Sequence, residues 1–271
     1  MDDVLIRLLA EGRPLVMGIL NITPDSFSDG GRFIDPERAL EQARRMIAAG
    51  ADIIDVGAES TRPYGGMEAV DADEELARLT PILPQVIALG APVSIDTMKA
   101  AVADWAIGQG AAVANDVWGL HRDPDMARVI ARRGVPVIAM HNRDEADPSI
   151  DIIADMDAFF ERTLAIAGEA GIERNKIVLD PGIGFGKVPQ QSLTALGRLD
   201  HFAHFGLPLL VGASRKRFIS SVVQSEPMER IGGSIASHVL AVESGAAIVR
   251  VHDVPETVQA LRVAAAIRRA R

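Results

Sequence analysis

Cysteine is absent from the 271 residues. That excludes disulfides, thiolate catalysis and cysteine-based metal sites, and it fits a reducing, cytoplasmic compartment. A basic surplus is missing too: 28 Lys and Arg stand against 37 Asp and Glu, a formal net charge of −9. Nucleic acid is therefore excluded as the main partner, because binding a phosphate backbone needs a basic face. No run approaches the ~20 apolar residues of a membrane span. The N-terminal stretch Met1-Asp2-Asp3-Val4-Leu5-Ile6-Arg7-Leu8-Leu9-Ala10 lacks the basic region and cleavage pattern of a secretory signal. Neither His-Glu-x-x-His nor a Cys/His spacing points to zinc. With 48% hydrophobic residues and no linker or composition shift, the chain can build one large core, at a length where α/β barrels commonly form a single domain.

Short apolar runs alternate with amphipathic stretches. The runs fall at residues 16–20, 52–56, 92–96, 111–116, 135–140, 176–180, 207–211 and 246–251. Helix-compatible segments lie at 36–49, 71–89, 98–109, 124–133, 152–170, 191–205, 230–243 and 255–271. Near-continuous apolar strands alternating with helices imply a parallel sheet covered by helices. About eight such units predict a single-domain α/β fold over residues 1–271, a (β/α)8 TIM barrel. Gly50, Gly110 and Gly245 each fall where a helix hands over to a strand, the position at which left-handed geometry favours glycine. A doubly wound open sheet is the structural alternative, since periodicity does not report closure.

Polar residues collect at the predicted strand ends. Asn21 follows the first run, and Asp55 lies in the second with Glu59, Ser60, Thr61 and Arg62 beyond it. Asp96-Thr97, Asn115-Asp116, His141-Asn142, Asp180-Pro181, Ser214-Arg215-Lys216, and Arg250 with His252-Asp253 close the next six. Barrels of this class hold their sites at that face. Thr97 and Asp116 alone read better as helix caps, and Asp55 admits both a structural bond and a ligand role. His121 reads as a loop residue; His201, His204 and His238 read as surface or core residues of helical segments.

Taken together, Asp96, Asn115 and Asp180 offer acceptors and an amide deep in a barrel. A buried carboxylate is costly to desolvate unless it meets donors, and the N–C–N edge of a heterocycle supplies two in parallel. Arg62, Lys216, Arg250 and His252 are cationic or donor groups suited to phosphate oxygens. These residues therefore point to a nitrogen heterocycle joined to a phosphate or diphosphate. Mg²⁺ would need few protein ligands there, because it keeps waters and takes phosphate oxygens. Gly182-Ile183-Gly184-Phe185-Gly186-Lys187 fails both nucleotide-loop patterns. Asn21-Ile22-Thr23 matches a glycosylation acceptor, which has no meaning without secretion.

Several stretches carry a resemblance. They are Met17-Gly18-Ile19-Leu20-Asn21-Ile22-Thr23-Pro24-Asp25-Ser26-Phe27-Ser28-Asp29-Gly30-Gly31, Asp55-Val56-Gly57-Ala58-Glu59-Ser60-Thr61-Arg62-Pro63, Ser94-Ile95-Asp96-Thr97 and Asn115-Asp116. Further on come Leu179-Asp180-Pro181-Gly182-Ile183-Gly184-Phe185-Gly186-Lys187, Gly212-Ala213-Ser214-Arg215-Lys216 and Arg250-Val251-His252-Asp253-Val254. In this order, across nearly the whole chain, they resemble the dihydropteroate synthases of the pterin-binding barrel family.

The resemblance implies a folate-pathway transferase and sulfonamide target. Such an enzyme condenses 6-hydroxymethyl-7,8-dihydropterin diphosphate with p-aminobenzoate to give 7,8-dihydropteroate and pyrophosphate. It implies a pterin site of Asp96, Asn115, Asp180, Lys216 and Arg250. It implies a diphosphate site of Asn21, Arg62, Arg250 and His252, with Asn21 as a ligand of the cofactor Mg²⁺. Phe27, Thr61, Pro63, Phe185 and Ser214 would border the p-aminobenzoate pocket, and Asp55 would support the site from behind. Catalysis would fall to Asn21, Asp96, Asp180, Lys216, Arg250 and His252, by an SN1-like substitution. The implied partners are the two small-molecule substrates and a second copy of the chain in a homodimer, with neither nucleic acid nor membrane.

Residues 23–31 are expected to move, with Phe27 as a lid and Gly30-Gly31 as a hinge. Two departures stand out. Ala58 replaces a frequent glycine, and the acidic segment Asn142-Arg143-Asp144-Glu145-Ala146-Asp147 replaces a Gly-Pro-containing stretch. The latter either alters the pocket rim or forms a variable surface loop, and the second reading is preferred. Two other functions remain open: a methyltetrahydrofolate-dependent methyl donor to a corrinoid partner, and a pterin-binding paralogue without catalysis. The complete first loop and the Ser-Arg-Lys motif argue against the first, and intact Asn21, Asp96, Lys216, Arg250 and His252 argue against the second.

Overall fold

The computed structural model describes residues 3–23, 35–59 and 70–270. Eight parallel strands close into a barrel in sequence order. They are β1 (Leu15–Asn21), β2 (Ile53–Gly57), β3 (Val93–Asp96), β4 (Val113–Asp116), β5 (Val137–Met140), β6 (Ile177–Asp180), β7 (Leu209–Val211) and β8 (Ala246–Val251). β8 returns to β1 with Leu15 opposite Ile248 and Gly18 opposite Val251. This closure removes the open-sheet alternative.

The pleat sorts the core, because alternate residues of a strand face opposite sides of the sheet. Leu15, Met17, Ile53, Val113, Ile138, Val178, Leu210 and Ile248 form one apolar cluster inside the barrel. Their neighbours Val16, Leu20, Ile54, Val56, Ile95, Val249 and Val251 pack outward under the helices. Two residues beyond the interior layer the same period delivers Asp55 after Ile53, Asn115 after Val113, Asp180 after Val178 and Arg250 after Ile248. Apolar floor and polar mouth are thus successive turns of one pattern.

Most helices follow the expected positions. They are α2 (Pro36–Ala48), α3 (Ala72–Leu79), α4 (Leu83–Ile87), α5 (Ala100–Gln109), α6 (Met126–Arg133), α7 (Ile152–Ala170), α8 (Pro189–Gly197), α10 (Ile231–Glu243) and α11 (Val254–Arg269). Asp35, Asp71 and Asp151 cap α2, α3 and α7 through their carboxylates. Gly110 ends α5 at φ 113°.

Two expected helices divide. Segment 71–89 breaks between α3 and α4, where Pro81 and Pro84 withhold the amide protons a continuous helix needs. Segment 191–205 becomes α8 followed by a 3-10 segment, Leu199–Phe205. Two helices were not expected: α1 (Val4–Ala10) and α9 (Arg217–Val222). Leu5 of α1 joins the interior cluster at 1% exposure, with Leu8 and Leu9 packed against it, so the short apolar N-terminal patch plugs the end of the barrel opposite the mouth.

Candidate active site

Arg250 organises the mouth. Its Nε donates to Asp55 Oδ2 at 2.6 Å and its Nη2 to Asp96 Oδ2 at 2.5 Å. Asn115 Nδ2 donates to the same Asp55 oxygen at 3.1 Å. β8 is not a neighbour of β2 or β3 in the barrel order except through β1, so these bonds cross the barrel interior. Asp55 is fully buried and Asp96 is 8% exposed. Asp55 Oδ1 and Asp96 Oδ1 are buried without a hydrogen-bond partner among the described residues. Such oxygens are rare in folded proteins and mark places where a donor from outside belongs.

Burial sets the protonation of the cluster. It pushes Asp96 up to about 7 against the pull of Arg250, with Asp55 adding repulsion. It pushes Asp180 up to about 6, opposed by the Gly182 amide and by Lys216 and Arg250. It brings Lys216 down to about 7, helped by Arg250 and resisted by Asp180 and Asp96. For Arg250 burial also works to lower the value, but Asp55 and Asp96 outweigh it and hold the guanidinium above its ordinary range. The mouth thus holds carboxyls and an ammonium whose charges are easily switched near neutrality.

The loop after β6 brings Asp180 and Lys216 together. Asp180 Oδ1 accepts from Gly182 N at 2.7 Å. Gly182 has φ 61°, and an added Cβ there would lie 2.0 Å from the His141 carbonyl oxygen, so only glycine fits. Lys216 Nζ sits 3.8 Å from the centre of the Phe185 ring, a cation–π contact that orients the ammonium. Lys187, which ends the false nucleotide loop, is a structural brace. Its Nζ donates to the carbonyls of Gly182 and Phe185, each at 2.9 Å, and lies 2.8 Å from His141 Nδ1. His141 Nε2 continues to Asp155 at 3.0 Å, where Arg143 Nη1 also binds at 2.5 Å. Burial brings Lys187 down to about 7 and His141 to about 4.

On the other side of Arg250, Ser214 Oγ accepts from the His252 amide at 3.2 Å and lies 3.0 Å from His252 Nδ1. The amide uses one of the two hydroxyl lone pairs, so Ser214 Oγ meets either tautomer of His252, donating to a bare Nδ1 or accepting from Nδ1–H. Burial, then Arg250, Arg215 and Lys216, bring His252 down to about 3, so it is neutral rather than a cation. Arg215 adopts φ 58° and turns away to pair with both oxygens of Asp253.

Asn21 is the last residue of β1, opposite Gly57, and is partly buried. Phe27, Thr61, Arg62 and Pro63, and the lid and hinge expected over 24–31, lie outside the described residues. Thr97 and Asp116 are not the expected helix caps, since Lys99 and Asp125 hold those positions for α5 and α6; they close local turns instead, Thr97 Oγ1 accepting from Lys99 N and Asp116 from Trp118 N and Leu120 N. Segment 142–147 is tied down by Asn142 to the Val117 carbonyl, Arg122 to Asp144, and Gln191 to the Asp147 carbonyl, while Asp144 and Glu145 stay exposed.

One cluster gave no signal in the sequence. Lys99 Nζ joins Glu59 at 2.6 Å and fully buried Glu75 at 2.7 Å. Glu59 Oε1 also accepts from Val70 N at 3.3 Å. Lys99, just before α5, and Glu75 of α3 are 24 residues apart, with no periodic mark of pairing.

Residues 17–252 match the family described as pterin binding enzyme. The dihydropteroate synthase of Bacillus subtilis is 47% identical over 245 residues, covering 90% of this chain and 85% of its own. Among solved structures, the dihydropteroate synthase of Clostridium difficile in the presence of pteroic acid superposes with a TM-score of 0.90 at 46% identity, covering 94% of this chain and 97% of that one. That of Xanthomonas albilineans with 4-aminobenzoic acid gives 0.90 at 41%, covering 94% and 93%.

Proposed function

The chain belongs to the pterin-binding enzyme family, and from that premise we propose that it acts as a dihydropteroate synthase. It condenses 6-hydroxymethyl-7,8-dihydropterin diphosphate with p-aminobenzoate, releasing pyrophosphate and 7,8-dihydropteroate for folate biosynthesis. The observation that carries this reading is the Asp96 oxygen with no partner among the described residues, in a mouth that also holds Arg250, Asn115, Asp180 and Lys216. The N–H donors of a pterin would complete Asp96 and Asp180. Lys216 and Asn115 would meet the acceptors of the ring, and Arg250, held in plane by two carboxylates, presents its flat face for stacking.

Departure of diphosphate from the pterin methylene leaves positive charge on the heterocycle and negative charge on the leaving group. Asp96 and Asp180 stabilise the first; Arg62, Arg250 and the His252 N–H stabilise the second. Preorganised groups of this kind are often the largest catalytic contribution. The neutral arylamine then attacks, and its proton becomes acidic as the C–N bond forms, so the substitution is SN1-like and no strong base is needed. By the family resemblance, Phe27, Thr61, Pro63, Phe185 and Ser214 would border the arylamine. Asn21 offers one neutral oxygen at a strand end, which suits Mg²⁺ completing its shell with water and diphosphate. Bound there, Mg²⁺ would neutralise charge on the leaving group.

A homodimer is part of the proposal. Val222, Val223, Leu240, Val263 and Ile267 are each more than half exposed, while Leu261 of α11 is buried on the barrel. α11 therefore packs inward on one side and leaves an apolar face on the other. Cytoplasmic residence is also part of the proposal, as the lack of cysteine fits a reducing compartment; no described helix is long and apolar enough to cross a membrane.

The deciding experiment is condensation of the two substrates with Mg²⁺, read as dihydropteroate and pyrophosphate together, with sulfonamide competing against p-aminobenzoate. A folded sample that binds pterin but forms neither product would sink the assignment. Crystals soaked with the pterin diphosphate alone test the order of events: C–O cleavage before the amine enters supports the dissociative route, and cleavage that strictly requires the amine refutes it.

A further inference from the structure

His201 and His204 lie three residues apart in the 3-10 segment Leu199–Phe205, whose three-residue repeat puts both rings on one face. That face meets α7 at Asp157. His201 Nε2 lies 2.8 Å from Asp157 Oδ2, and His204 Nε2 lies 3.8 Å from Asp157 Oδ1. One donor atom from each residue lies within 4.8 Å of the other two.

A hydrogen bond accounts for the first separation only. A distance of 3.8 Å is too long for a hydrogen bond, and Asp157 Oδ1 is buried with no hydrogen-bond partner among the described residues. Two ligands on a tetrahedral ion with bonds of about 2.0–2.1 Å stand about 3.4 Å apart, between the two observed separations.

The tautomer is already fixed. His204 Nδ1 lies 2.7 Å from the His201 carbonyl oxygen, which can only accept, so Nδ1 carries a proton and in the neutral ring Nε2 keeps its lone pair toward Asp157. A carbonyl on the second ring nitrogen is the usual orienting contact of a ligating histidine. Beneath the cluster Phe160 packs edge-on to Phe202 and Phe205, at 5.8 Å and 5.7 Å between centroids, which stiffens the segment carrying both histidines. None of the three side chains takes part in the mouth of the barrel.

We propose that Asp157, His201 and His204 bind one divalent transition ion of the zinc class. Two imidazole nitrogens and one carboxylate oxygen would ligate it, with water in the fourth position. Imidazole with carboxylate suits Zn²⁺, Co²⁺ and Ni²⁺ over Mg²⁺. The ion staples α7 to the segment that leads into β7, so its role is structural.

The probe is Co²⁺, added to the full-length chain after chelator treatment and read by visible d–d absorption, with Zn²⁺ as competitor and thermal unfolding in parallel. One Co²⁺ binds per chain and is displaced by Zn²⁺. Tm rises by about 5–10 °C at a hundredfold excess over Kd. His204→Gln and Asp157→Asn each weaken binding by about 100-fold or more and remove the Tm shift, without changing the condensation rate in Mg²⁺ buffer. Asn21→Ala keeps the absorption band, which separates this site from the proposed Mg²⁺ site. His204 is exposed, so its variant retains the fold and keeps the test valid if Asp157→Asn unfolds. Absence of stoichiometric Co²⁺ binding in the parent, or equal binding in His204→Gln, overturns the proposal.

Discussion

Replacing Arg250 with Met is the sharpest test of how the mouth is held together. Met keeps much of the side-chain length and removes the guanidinium. Asp55 loses its 2.6 Å donor and Asp96 its 2.5 Å donor, and both carboxylates are buried. Stripping one partner from a buried ion pair costs about 3–5 kcal/mol, which for a chain of this size lowers Tm by roughly 6–15 °C.

The loss has a signed pH dependence. Burial already raises Asp96 to about 7 with Arg250 pulling it down, so without Arg250 it rises further. A carboxyl whose folded value exceeds its unfolded one takes up a proton on folding. Its destabilisation is complete above the folded value and is relieved as pH falls toward the unfolded value. The deficit of Arg250→Met against the parent is therefore largest above pH ~8 and shrinks toward pH ~5. Denaturant unfolding across that range measures it. Asp96→Asn in the Arg250→Met background recovers much of the loss at high pH, and the double-mutant cycle gives the coupling. A deficit that is flat with pH, or a double variant no better than Arg250→Met, refutes the role of Arg250 as counter-ion.

Pterin affinity, measured by calorimetry, falls as pH drops from 8 to 5, because Asp96 near 7 and Asp180 near 6 must be ionised to accept N–H donors; the slope is up to about tenfold per unit for each group, and a flat profile contradicts their assignment. Gly182→Ala forces a Cβ to within 2.0 Å of a backbone oxygen at a left-handed φ, and lowers kcat/KM by about 100-fold or more through displacement of the Asp180 loop, with circular dichroism unchanged. Lys216→Ala weakens pterin binding, whereas Arg62→Ala leaves binding and lowers turnover; direct binding and single-turnover rates separate the two, and unchanged rates in both would dismantle the site. Lys99→Met strands Glu75 in the core and destabilises the chain by about 3 kcal/mol, relieved by Glu75→Gln, as chemical unfolding reports.

The barrel was legible because its strands are short apolar runs and its helices carry caps and breaks of ordinary chemistry. The mouth was legible because Asp55, Asn115, Asp180 and Arg250 each sit two residues beyond an interior apolar residue, a period the chain displays openly. The split at Pro81 was also readable from proline chemistry, yet the amphipathic pattern on either side masked it. Other features depend on contacts that no local pattern encodes. Lys187 resembles the last residue of a nucleotide loop, and only its burial against three carbonyl and imidazole partners reveals a brace. The neutral state of His252 follows from burial first and then from nearby Arg250, Arg215 and Lys216, all of which folding brings about. Asp157 is 44 residues from His201, a spacing that no metal-binding motif shares.

The pairing of β8 with β1 also has a meaning in time. Leu15 through Gly18 must wait for Ile248 through Val251, so a chain emerging from the ribosome at about 5–20 residues per second carries an open seam until its last strand is made. Arg250 belongs to that strand, and its bond to Asp55 spans 195 residues. An incomplete chain holds Asp55 and Asp96 without their cation. The residue that completes the charge cluster is thus delivered by the strand that seals the wall, and competence to bind ligand coincides with the moment of closure.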